Sequence, residues 1–537
     1  MEKAVGPVDE MPLYRAQLEL NPAKREVTGK VLFTPFARKA PLEVLYLRIN
    51  ANQQERRVKL SHATLDGRPA VLEQPEPTLY RVRLDPPVPQ GSSAVIEVRL
   101  VANVPPAMSN SDSLAASGLA DDKGHDYGAF SVAPEIVSLA GMLPGIAALN
   151  SDAEPSPGPT GIGDLGDFEL GQWLVSVSVP DAWVVVAPGL GLGDVPEPGG
   201  KTRYTYAIAA ARDFALFATR GYELTCGKVD DITVESRFML ADKDAGKRVY
   251  KYAVDALAEY QKRFGPYPYT TFRILEARLH GGAGGMEFPG LVTISTALYR
   301  GASDPLAALG MPGVSTIPEL RGLLGALKPM IEGTLEFTVA HEVAHQWFAM
   351  MVGNDAINEP VVDEPLAQHS GLLYLEARRG KPVADAMRKA QLTGAYQMMR
   401  VMGGEDGPAN RPTGDFEGTH VYAALIYGKA PQFYDHARKL LGDEKYFKTL
   451  RAYADTYRWG LARPDSLTAM LSKASGSQAR ALEKLRKRWW DEAHGDEDLG
   501  NPDLSAIFAG ALPDGALDSN TLKVLEEAMR ALGGSDP

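Results

Sequence analysis

The sequence predicts a multidomain protein with a β-rich N-terminal part, a mixed α/β middle part and a helical C-terminal part. The chain has 537 residues, which is more than one hydrophobic core accommodates. Short runs of alternating apolar and polar side chains recur between about residue 12 and residue 105, whereas helical spacing dominates from about residue 330 onward. These two periodicities indicate strands first and helices later along the chain.

The N-terminal part is expected to form an antiparallel sheet or sandwich, because the alternating runs are short and turn-forming pairs such as Asn21-Pro22 and Asp66-Gly67 separate them. The clearest runs lie at 14–20, 27–33, 42–49 and 94–101, and again at 173–179, 183–187 and 204–208. Between these two groups, residues 102–165 are rich in Ser, Gly, Pro, Ala and Asp, so an irregular excursion is predicted there. We expect an N-terminal domain over residues 1–226.

A second domain is expected over residues 227–445 and a C-terminal helical region over residues 446–537. The middle part contains helical spacing at 243–264, and the helical patterns that dominate from about residue 330 begin within it and continue into the C-terminal region. Its expected elements are a helix at 243–264, strands at 271–275 and 291–295, and an insertion at 301–325, and the last predicted helix of the chain lies at 519–532.

Composition narrows the class of function. Acidic residues number 68 against 56 basic ones, and the net charge of −12 argues against a general nucleic-acid binder. Cys226 is the one cysteine, so an intramolecular disulfide and a cysteine-rich zinc site are both excluded. Any zinc ion must therefore be bound by histidine and carboxylate.

Location and assembly are less constrained. The chain has no apolar run of the roughly 18 residues that a membrane span needs. Residues 1–11 lack the basic start and apolar run of a signal peptide. A soluble protein is expected, cytoplasmic by default, and a periplasmic or secreted location stays open if a signal was removed. The oligomeric state is not predicted.

The segment His341-Glu342-Val343-Ala344-His345 carries the strongest functional signal. On a helix, His341 and His345 leave the same face, so both imidazoles can meet one Zn²⁺. Glu342 lies beside a ligand, where its carboxylate can act as general base. The alternative is a helix that carries these side chains by chance. Only nine histidines exist, however, and burying such groups without a partner costs several kcal/mol.

Glu364 is the candidate for the third ligand of one zinc ion per chain. Pro365 suits the first turn of a helix, so Glu364 would begin a second helix able to pack beside the first. A carboxylate completes a His₂Glu site with one position left open. On its own, Glu364 would be read as a surface carboxylate, and the neighbouring Asp363 ranks second as a ligand.

These features resemble the M1 gluzincin aminopeptidases, relatives of aminopeptidase N and leukotriene A4 hydrolase. The resemblance covers roughly residues 12–490. It rests on the His-Glu-x-x-His motif, on the gap to Glu364, and on two further motifs, which are Gly284-Gly285-Met286-Glu287 and Tyr427-Gly428-Lys429. It implies a saddle-like N-terminal β-sandwich, a thermolysin-like α+β catalytic domain and a short C-terminal helical region.

The resemblance also implies roles for the additional motifs. Gly284, Gly285 and Met286 would form an edge strand beside the cleft, and Glu287 would receive the free α-amino group of a peptide substrate. Without the family context, this segment reads equally well as a flexible glycine loop. Tyr427 would donate a hydrogen bond to the oxyanion, although 21 tyrosines exist and Tyr422 is a close neighbour.

Three positions depart from the family pattern. Phe288 replaces the usual Asn after Met-Glu, Pro365 replaces a common Gly, and Gly371 stands where some relatives have Glu. None of these departures removes a proposed ligand. They leave open which groups hydrogen-bond to the metal ligands and orient them.

The resulting hypothesis is a zinc-dependent aminopeptidase that hydrolyses the N-terminal bond of peptides. Two alternatives stay open: a metallo-endopeptidase with the same zinc chemistry, and an inactive scaffold that binds peptides. Hydrolysis of an epoxide, which one branch of the family performs, is a weaker alternative because no residue here points to it.

Overall fold

The computed structural model describes residues 10–108, 126–149, 154–166, 168–301 and 321–500, with only the backbone for 321–330. The predicted order of parts is confirmed within these ranges: strands come first, a mixed α/β part follows, and helices occupy the rest. The helix expected at 519–532 and most of the insertion expected at 301–325 lie outside the described residues.

Three sheets make up the N-terminal part. The first has the strand order β14-β15-β12-β1-β2-β8-β4-β5, the second β11-β3-β7-β6 and the third β13-β16-β10-β9. Their strands are β1 Leu13–Asn21, β2 Glu26–Thr34, β3 Leu42–Arg48, β4 Val58–Leu65, β5 Arg68–Pro69, β6 Val71–Glu76, β7 Leu79–Val88, β8 Ile96–Asn103, β9 Phe130–Val132, β10 Ile136–Leu139, β11 Gly145–Ile146, β12 Gly171–Pro180, β13 Val184–Val186, β14 Leu190–Glu197, β15 Lys201–Ala211 and β16 Phe217–Thr219.

Alternation explains how these sheets bury one face. Along β1, the residues Tyr14, Ala16, Leu18 and Leu20 are buried, and the residues between them are exposed. This strand pairs antiparallel with β2 but parallel with β12, so the large sheet is mixed at this point. Apolar side chains on alternate positions therefore face the core, as the period-two pattern predicts.

The structure differs from the irregular excursion expected at 102–165. Its described residues include β9, β10 and β11, and all four residues of β10 are buried. A strand that is buried on both faces shows no alternation, and two- to four-residue strands are too short for any period to appear. The composition of this segment therefore masked its regular structure.

A five-stranded sheet with the order β17-β18-β19-β21-β20 lies in the middle part. Its strands are β17 Tyr222–Val229, β18 Ile232–Met239, β19 Thr271–Ala277, β20 Gly285–Phe288 and β21 Leu291–Ser295. Strand β20 is an edge strand that pairs antiparallel with β21. Since β17 crosses residue 226 and belongs to this sheet, we propose that the second domain begins at Tyr222.

One helix lies between the second and third strands of this sheet, and helices joined by loops make up the described chain after its last strand. They are α1 Lys243–Phe264, α2 Thr296–Gly301, α3 Arg321–Ala344, α4 Glu364–Arg379, α5 Lys381–Met387, α6 Gly394–Val401, α7 Thr419–Tyr422, α8 Gln432–Leu441, α9 Asp443–Thr456, α10 Pro464–Ser475, α11 Ala479–Arg486 and α12 Gly495–Leu499. Segments of π-helix occupy Arg388–Thr393, Ala423–Lys429 and Lys487–Asp491. Among the described residues, none of the helices has both the length and the apolarity that crossing a membrane would demand.

Two buried hydrogen bonds hold helix α3 against its surroundings. The Tyr260 hydroxyl on α1 donates to the carbonyl of Ala340 at 2.9 Å, and the Trp347 indole donates to the carbonyl of Gly265 at 3.0 Å. Both aromatic side chains are fully buried. Helix α4 also packs against α3. The helix that carries the histidine motif is therefore fixed within the core.

Candidate active site

The histidine motif lies at the C-terminal end of α3. Val339, Ala340 and Val343 are fully buried, so the helix has an apolar side within the core. His341 falls in the last turn, and His345 directly follows the end of the helix at Ala344. Both histidines remain on the same side and are buried.

Glu364 begins helix α4, as predicted from Pro365. The Asp363 carboxylate caps this helix by accepting a hydrogen bond from the Glu364 amide at 2.9 Å. Asp363, the second-ranked ligand candidate, is thereby occupied on one oxygen, whereas the Glu364 side chain points to the histidines. Its Oε2 lies 3.3 Å from Nε2 of His341 and 3.3 Å from Nε2 of His345.

The three side chains converge so closely that they could hold one metal ion. The two Nε2 atoms face each other at 3.0 Å, and Glu364 Oε2 is buried with no hydrogen-bond donor in the described part of the chain. His345 Nδ1 lies 2.9 Å from the carbonyl of Phe348, which orients the ring and leaves Nε2 for the metal. Two histidines and a carboxylate are the donor set of a catalytic zinc site, and these residues fit it.

The electrostatics of this cluster also favour a cation. Burial lowers the pKa of His345, but the carboxylates of Glu287 and Glu364 outweigh it and raise this pKa well above its usual value. Burial opposes ionisation of Glu364, yet the neighbouring histidines hold its pKa below the usual range. The site therefore has a strongly negative potential that stabilises positive charge.

Glu342 faces the same cavity beside the ligands. Burial raises the pKa of its carboxyl well above the usual value, and the charge of Glu287 adds to this shift. A Cβ atom built on Gly285 would lie 2.3 Å from Glu342 Oε1, so a side chain at that position would displace the Glu342 carboxylate. The close approach of the β20 backbone leaves Glu342 pointing at the space in front of the ligands.

Tyr427 lies on the π-helical segment Ala423–Lys429 and reaches the same cluster. Its hydroxyl donates to Glu364 Oε1 at 2.5 Å, and its carbonyl accepts a hydrogen bond from Gln368 at 3.2 Å. The Tyr422 hydroxyl, by contrast, is buried without a hydrogen-bond partner among the described residues. Of these two neighbouring tyrosines, it is Tyr427 that the fold brings to the proposed ligands.

The Gly284-Gly285-Met286-Glu287 motif lies along the edge strand β20, and all four residues line the cavity. Glu287 brings a carboxylate oxygen within 4.8 Å of oxygens from Glu364 and Asp164. Phe288, which departs from the family pattern, turns away into an apolar cluster and packs against Phe217 with ring centroids 5.9 Å apart. This departure therefore does not fill the cavity.

Asp164 is the site residue that sequence reasoning missed. It lies between Gly163 and Gly166, which both have positive φ angles of 75° and 89°, in the segment that was expected to be irregular. Burial and the charges of Glu287 and Glu364 raise the pKa of its carboxyl well above the usual value. The one signal in the sequence is an acid inside a glycine-rich turn, which is too common to point to a site.

Gly371 is explained by packing against α3. A Cβ atom at this position would lie 2.8 Å from the Phe337 ring, so Phe337 occupies the space that a side chain from α4 would fill.

His341 Nδ1 has no hydrogen-bond partner among the described residues. The two proposed ligands thus differ, since the Nδ1 atom of His345 lies against a carbonyl and that of His341 does not.

The cavity in front of the ligands has a volume of about 500 Å³. Its lining combines the N-terminal part, the sheet edge and the helices, and it includes Tyr127, Gly163, Asp164, Leu298, Thr334, Phe337, Thr338, Gln368, Gln391, Ala395, Met398, Met399, Met402, His420 and Tyr422 besides the residues above. This size is typical of a small-ligand or peptide site.

Part of this chain is similar in sequence to known proteins. Residues 331–489 match the model of the peptidase family M1 domain. The human protein Aminopeptidase RNPEPL1 is 28% identical over 182 residues, which are 32% of this chain and 25% of the relative. Its mouse counterpart is 28% identical over 214 residues, or 38% of this chain and 29% of the relative. The matches thus span about a quarter of the length of these curated relatives.

Solved structures match nearly the whole chain in fold. A mutant of the M1 zinc metallopeptidase from Deinococcus radiodurans has a TM-score of 0.59 at 17% identity, covering 90% of this chain and 94% of that one. A second structure of a mutant of that enzyme, bound to a Tyr-Ser-Ala substrate, gives 0.58 at 18% identity with the same coverage. Residues 331–489 therefore match the peptidase family M1 domain, and the chain has the overall fold of the M1 zinc metallopeptidases.

Proposed function

We propose that this protein is a zinc-dependent aminopeptidase that removes one residue from the N-terminus of peptides. The observation that carries the proposal is the meeting of two clusters at Glu364. His341, His345 and Glu364 form a set that fits zinc, and Asp164, Glu287 and Glu364 form a set of carboxylates beside it. A metal site next to an ammonium-binding site is the arrangement that cleavage at a free N-terminus requires.

His341, His345 and Glu364 would hold one zinc ion per chain. When bound, zinc polarises a substrate carbonyl and lowers the pKa of water. The buried carboxylate of Glu364 balances part of the charge, and the Phe348 carbonyl keeps the His345 ring in the orientation that exposes Nε2.

Glu342 is the proposed general base. Its carboxylate takes a proton from the attacking water and returns it to the leaving amine. A carboxyl whose pKa is raised by burial holds the transferred proton more readily than an exposed one, because the neutral acid is favoured in its surroundings.

Tyr427 is the proposed oxyanion donor. In the structure its hydroxyl donates to Glu364, at the edge of the space in front of the ligands. Turning that O–H toward the substrate would place a donor where negative charge develops on the carbonyl oxygen. Burial raises the pKa of Tyr427 well above its usual value, so it acts as a donor and not as a phenolate.

Asp164, Glu287 and Glu364 are the proposed ammonium site. Three carboxylates at this distance repel one another, and a bound α-ammonium group relieves that repulsion through charge-assisted hydrogen bonds. Anchoring the amine beside the metal fixes the first peptide bond as the scissile one. The mutant Deinococcus enzyme was solved with a bound Tyr-Ser-Ala substrate, which supports a peptide as the substrate class.

A pair of substrates tests this function. The zinc-loaded protein should hydrolyse an aminoacyl-anilide with a free amine and fail on the N-acetylated version, because acetylation removes the positive charge. Equal hydrolysis of both would favour the metallo-endopeptidase alternative. A zinc-loaded protein that binds peptides but cleaves neither, nor a longer blocked peptide, would favour the inactive scaffold.

A further inference from the structure

The cavity has two chemically different ends, one on each side of Glu342. The end at Asp164, Glu287 and Glu364 is acidic. The other end lies along the turns of α3 directly before His341, where Thr334, Phe337 and Thr338 line the wall. Since the proposed amine site occupies the acidic end, the part of the substrate beyond the scissile bond must lie at the other end.

The edge strand β20 sets the direction of that part. A peptide that adds to the free edge of β20 with its amine at Glu287 continues past Gly285 toward Gly284. A Cβ atom at Gly284 would lie 3.3 Å from the Thr338 methyl and 3.6 Å from a methyl of Leu298. The residue that follows the scissile bond therefore meets these side chains first.

The wall beyond them is apolar and adaptable. Helix α6 and the residue after it contribute Met398, Met399 and Met402 to the lining. The segment that leads into α6 is joined to the α3 wall, since the Gln391 amide donates to the Thr334 hydroxyl at 2.9 Å. Methionine side chains are flexible and polarisable, so this wall accepts apolar groups of different shape.

Charge reinforces the selection. The cavity lining includes Asp164, Glu287, Glu342 and Glu364, and among the described residues it contains neither lysine nor arginine. An acidic substrate side chain at the apolar end would lose its hydration and find no lysine or arginine in the lining, and the carboxylates elsewhere in the cavity would add an unfavourable potential.

We propose that the methionine-lined end of the cavity binds the residue that follows the scissile bond, so that the enzyme prefers peptides whose second residue is large and apolar and disfavours aspartate and glutamate there. This inference rests on the proposed aminopeptidase activity. It adds a substrate class, defined by the second residue and not by the first.

The test uses zinc-loaded protein and a panel of peptides Leu-Xaa-Ala-amide, in which Xaa is Leu, Phe, Ala, Asn or Asp. We expect kcat/KM to be highest for Leu and Phe, roughly tenfold or more lower for Ala, and lowest for Asp. A profile that is flat, or highest for Asp, on an enzyme that does cleave these peptides would overturn this inference alone. Failure to cleave any free-amine peptide would instead overturn the proposed function on which it rests.

Two lysine substitutions on α6 form a matched pair. Met398→Lys introduces a cation into the wall and should raise kcat/KM for the Asp peptide relative to the Leu peptide by tenfold or more, on the order of one charge-assisted contact. Val401 lies on the same helix but does not line the cavity. Val401→Lys should leave the Asp-to-Leu ratio unchanged, and an equal shift in both variants would reject the assignment of this wall.

Discussion

At the scale of the residue, the site separates its carboxylates into two kinds. Glu364 lies against two imidazoles, which hold its pKa below the usual range although burial opposes ionisation. Glu342 lacks such partners, and burial raises its pKa. Divergent pKa values in one small space are typical of acids with different tasks. Glu364 suits a permanently charged ligand and Glu342 suits a group that gains and loses a proton.

Replacing Glu342 by Gln tests the second of these roles. The amide keeps the shape of the side chain but cannot accept the proton, so kcat should fall by roughly 10²–10⁴-fold while zinc content stays the same. Glu332 lies on the same helix and does not line the cavity, so Glu332→Gln should leave kcat unchanged. Near-normal turnover by zinc-loaded Glu342→Gln would remove Glu342 from the mechanism.

Asp164 and Glu287 test the amine site together. Asp164→Asn and Glu287→Gln each remove one charged acceptor, and each should lower kcat/KM for a free-amine peptide about 10- to 100-fold, as expected for a hydrogen bond to a charged group. Any slow cleavage of an N-acetylated peptide should change little, because that substrate has no ammonium group. Parallel losses on both substrates would argue for a structural role instead.

The residues of the site differ in how well the sequence alone predicts them. His341 and His345 were found because one helical turn brings them together, and Pro365 marked the helix that Glu364 begins. Asp164 is far from Glu287 along the chain, so its proximity depends on how the N-terminal part packs against β20. Such a contact has no local periodicity, and therefore no local signal predicts it.

At the scale of the element, the π-helical segment Ala423–Lys429 connects the site to the C-terminal helices. Lys429 is fully buried and its Nζ donates to Asp406 Oδ1 at 2.8 Å and to the carbonyl of Glu492 at 2.6 Å. Two residues earlier, Tyr427 points into the cavity. Hydrogen bonds of Lys429 thus fix this segment to the C-terminal part of the chain, and Tyr427, the proposed oxyanion donor, lies on its cavity side.

Lys429→Met is expected to destabilise the protein, because it leaves the buried carboxylate of Asp406 without its cation. The free energy of unfolding should fall by roughly 3–5 kcal/mol, as measured by denaturant titration. Lys381 pairs with Asp385 on the surface and is 70% exposed, so Lys381→Met should cost less than about 1 kcal/mol. Similar small losses of stability in both variants would contradict a stabilising role for the Lys429–Asp406 ion pair.

Long elements were predicted better than short ones. Helix α1 was expected at 243–264 and spans Lys243–Phe264, because its apolar face repeats over many turns. Strands β9 to β11 were missed because they contain two to four residues. The π-helical segments were not predicted either, since one inserted residue in a helical turn leaves little trace in the pattern of apolar side chains.

At the scale of the whole molecule, the N-terminal part contacts both the site and the C-terminal helical region. The buried Arg212 of the N-terminal part donates to the carbonyls of Trp459 and Gly460 in the helical region at 3.1 and 3.0 Å. The predicted order of domains was confirmed, but this contact was not foreseeable, because composition and period describe each part separately. Tyr127 and Asp164 of the N-terminal part line the cavity, so this part also helps to build the site.

Asp213 is expected to make stability depend on pH. It lines a small cavity of about 40 Å³ with Asp164 and Asp363, and burial raises its pKa to about 7. Between about pH 4 and 7 the folded state keeps a proton that the unfolded state has lost, so stability falls as pH rises through this window. Asp213→Asn should match the wild type in melting temperature near pH 4 and exceed it by a few degrees at pH 8. A difference that does not change with pH would contradict this assignment.

The central claim is that His341, His345 and Glu364 bind one divalent ion, and metal analysis by mass spectrometry tests it most directly. The wild-type protein should contain one zinc ion per chain. Glu364→Gln should lose most of it, whereas Asp363→Asn should retain it, because an asparagine still caps the helix and does not replace a ligand. A wild-type protein that never acquires stoichiometric metal, or a Glu364→Gln variant that retains it as firmly as the wild type, would contradict the account.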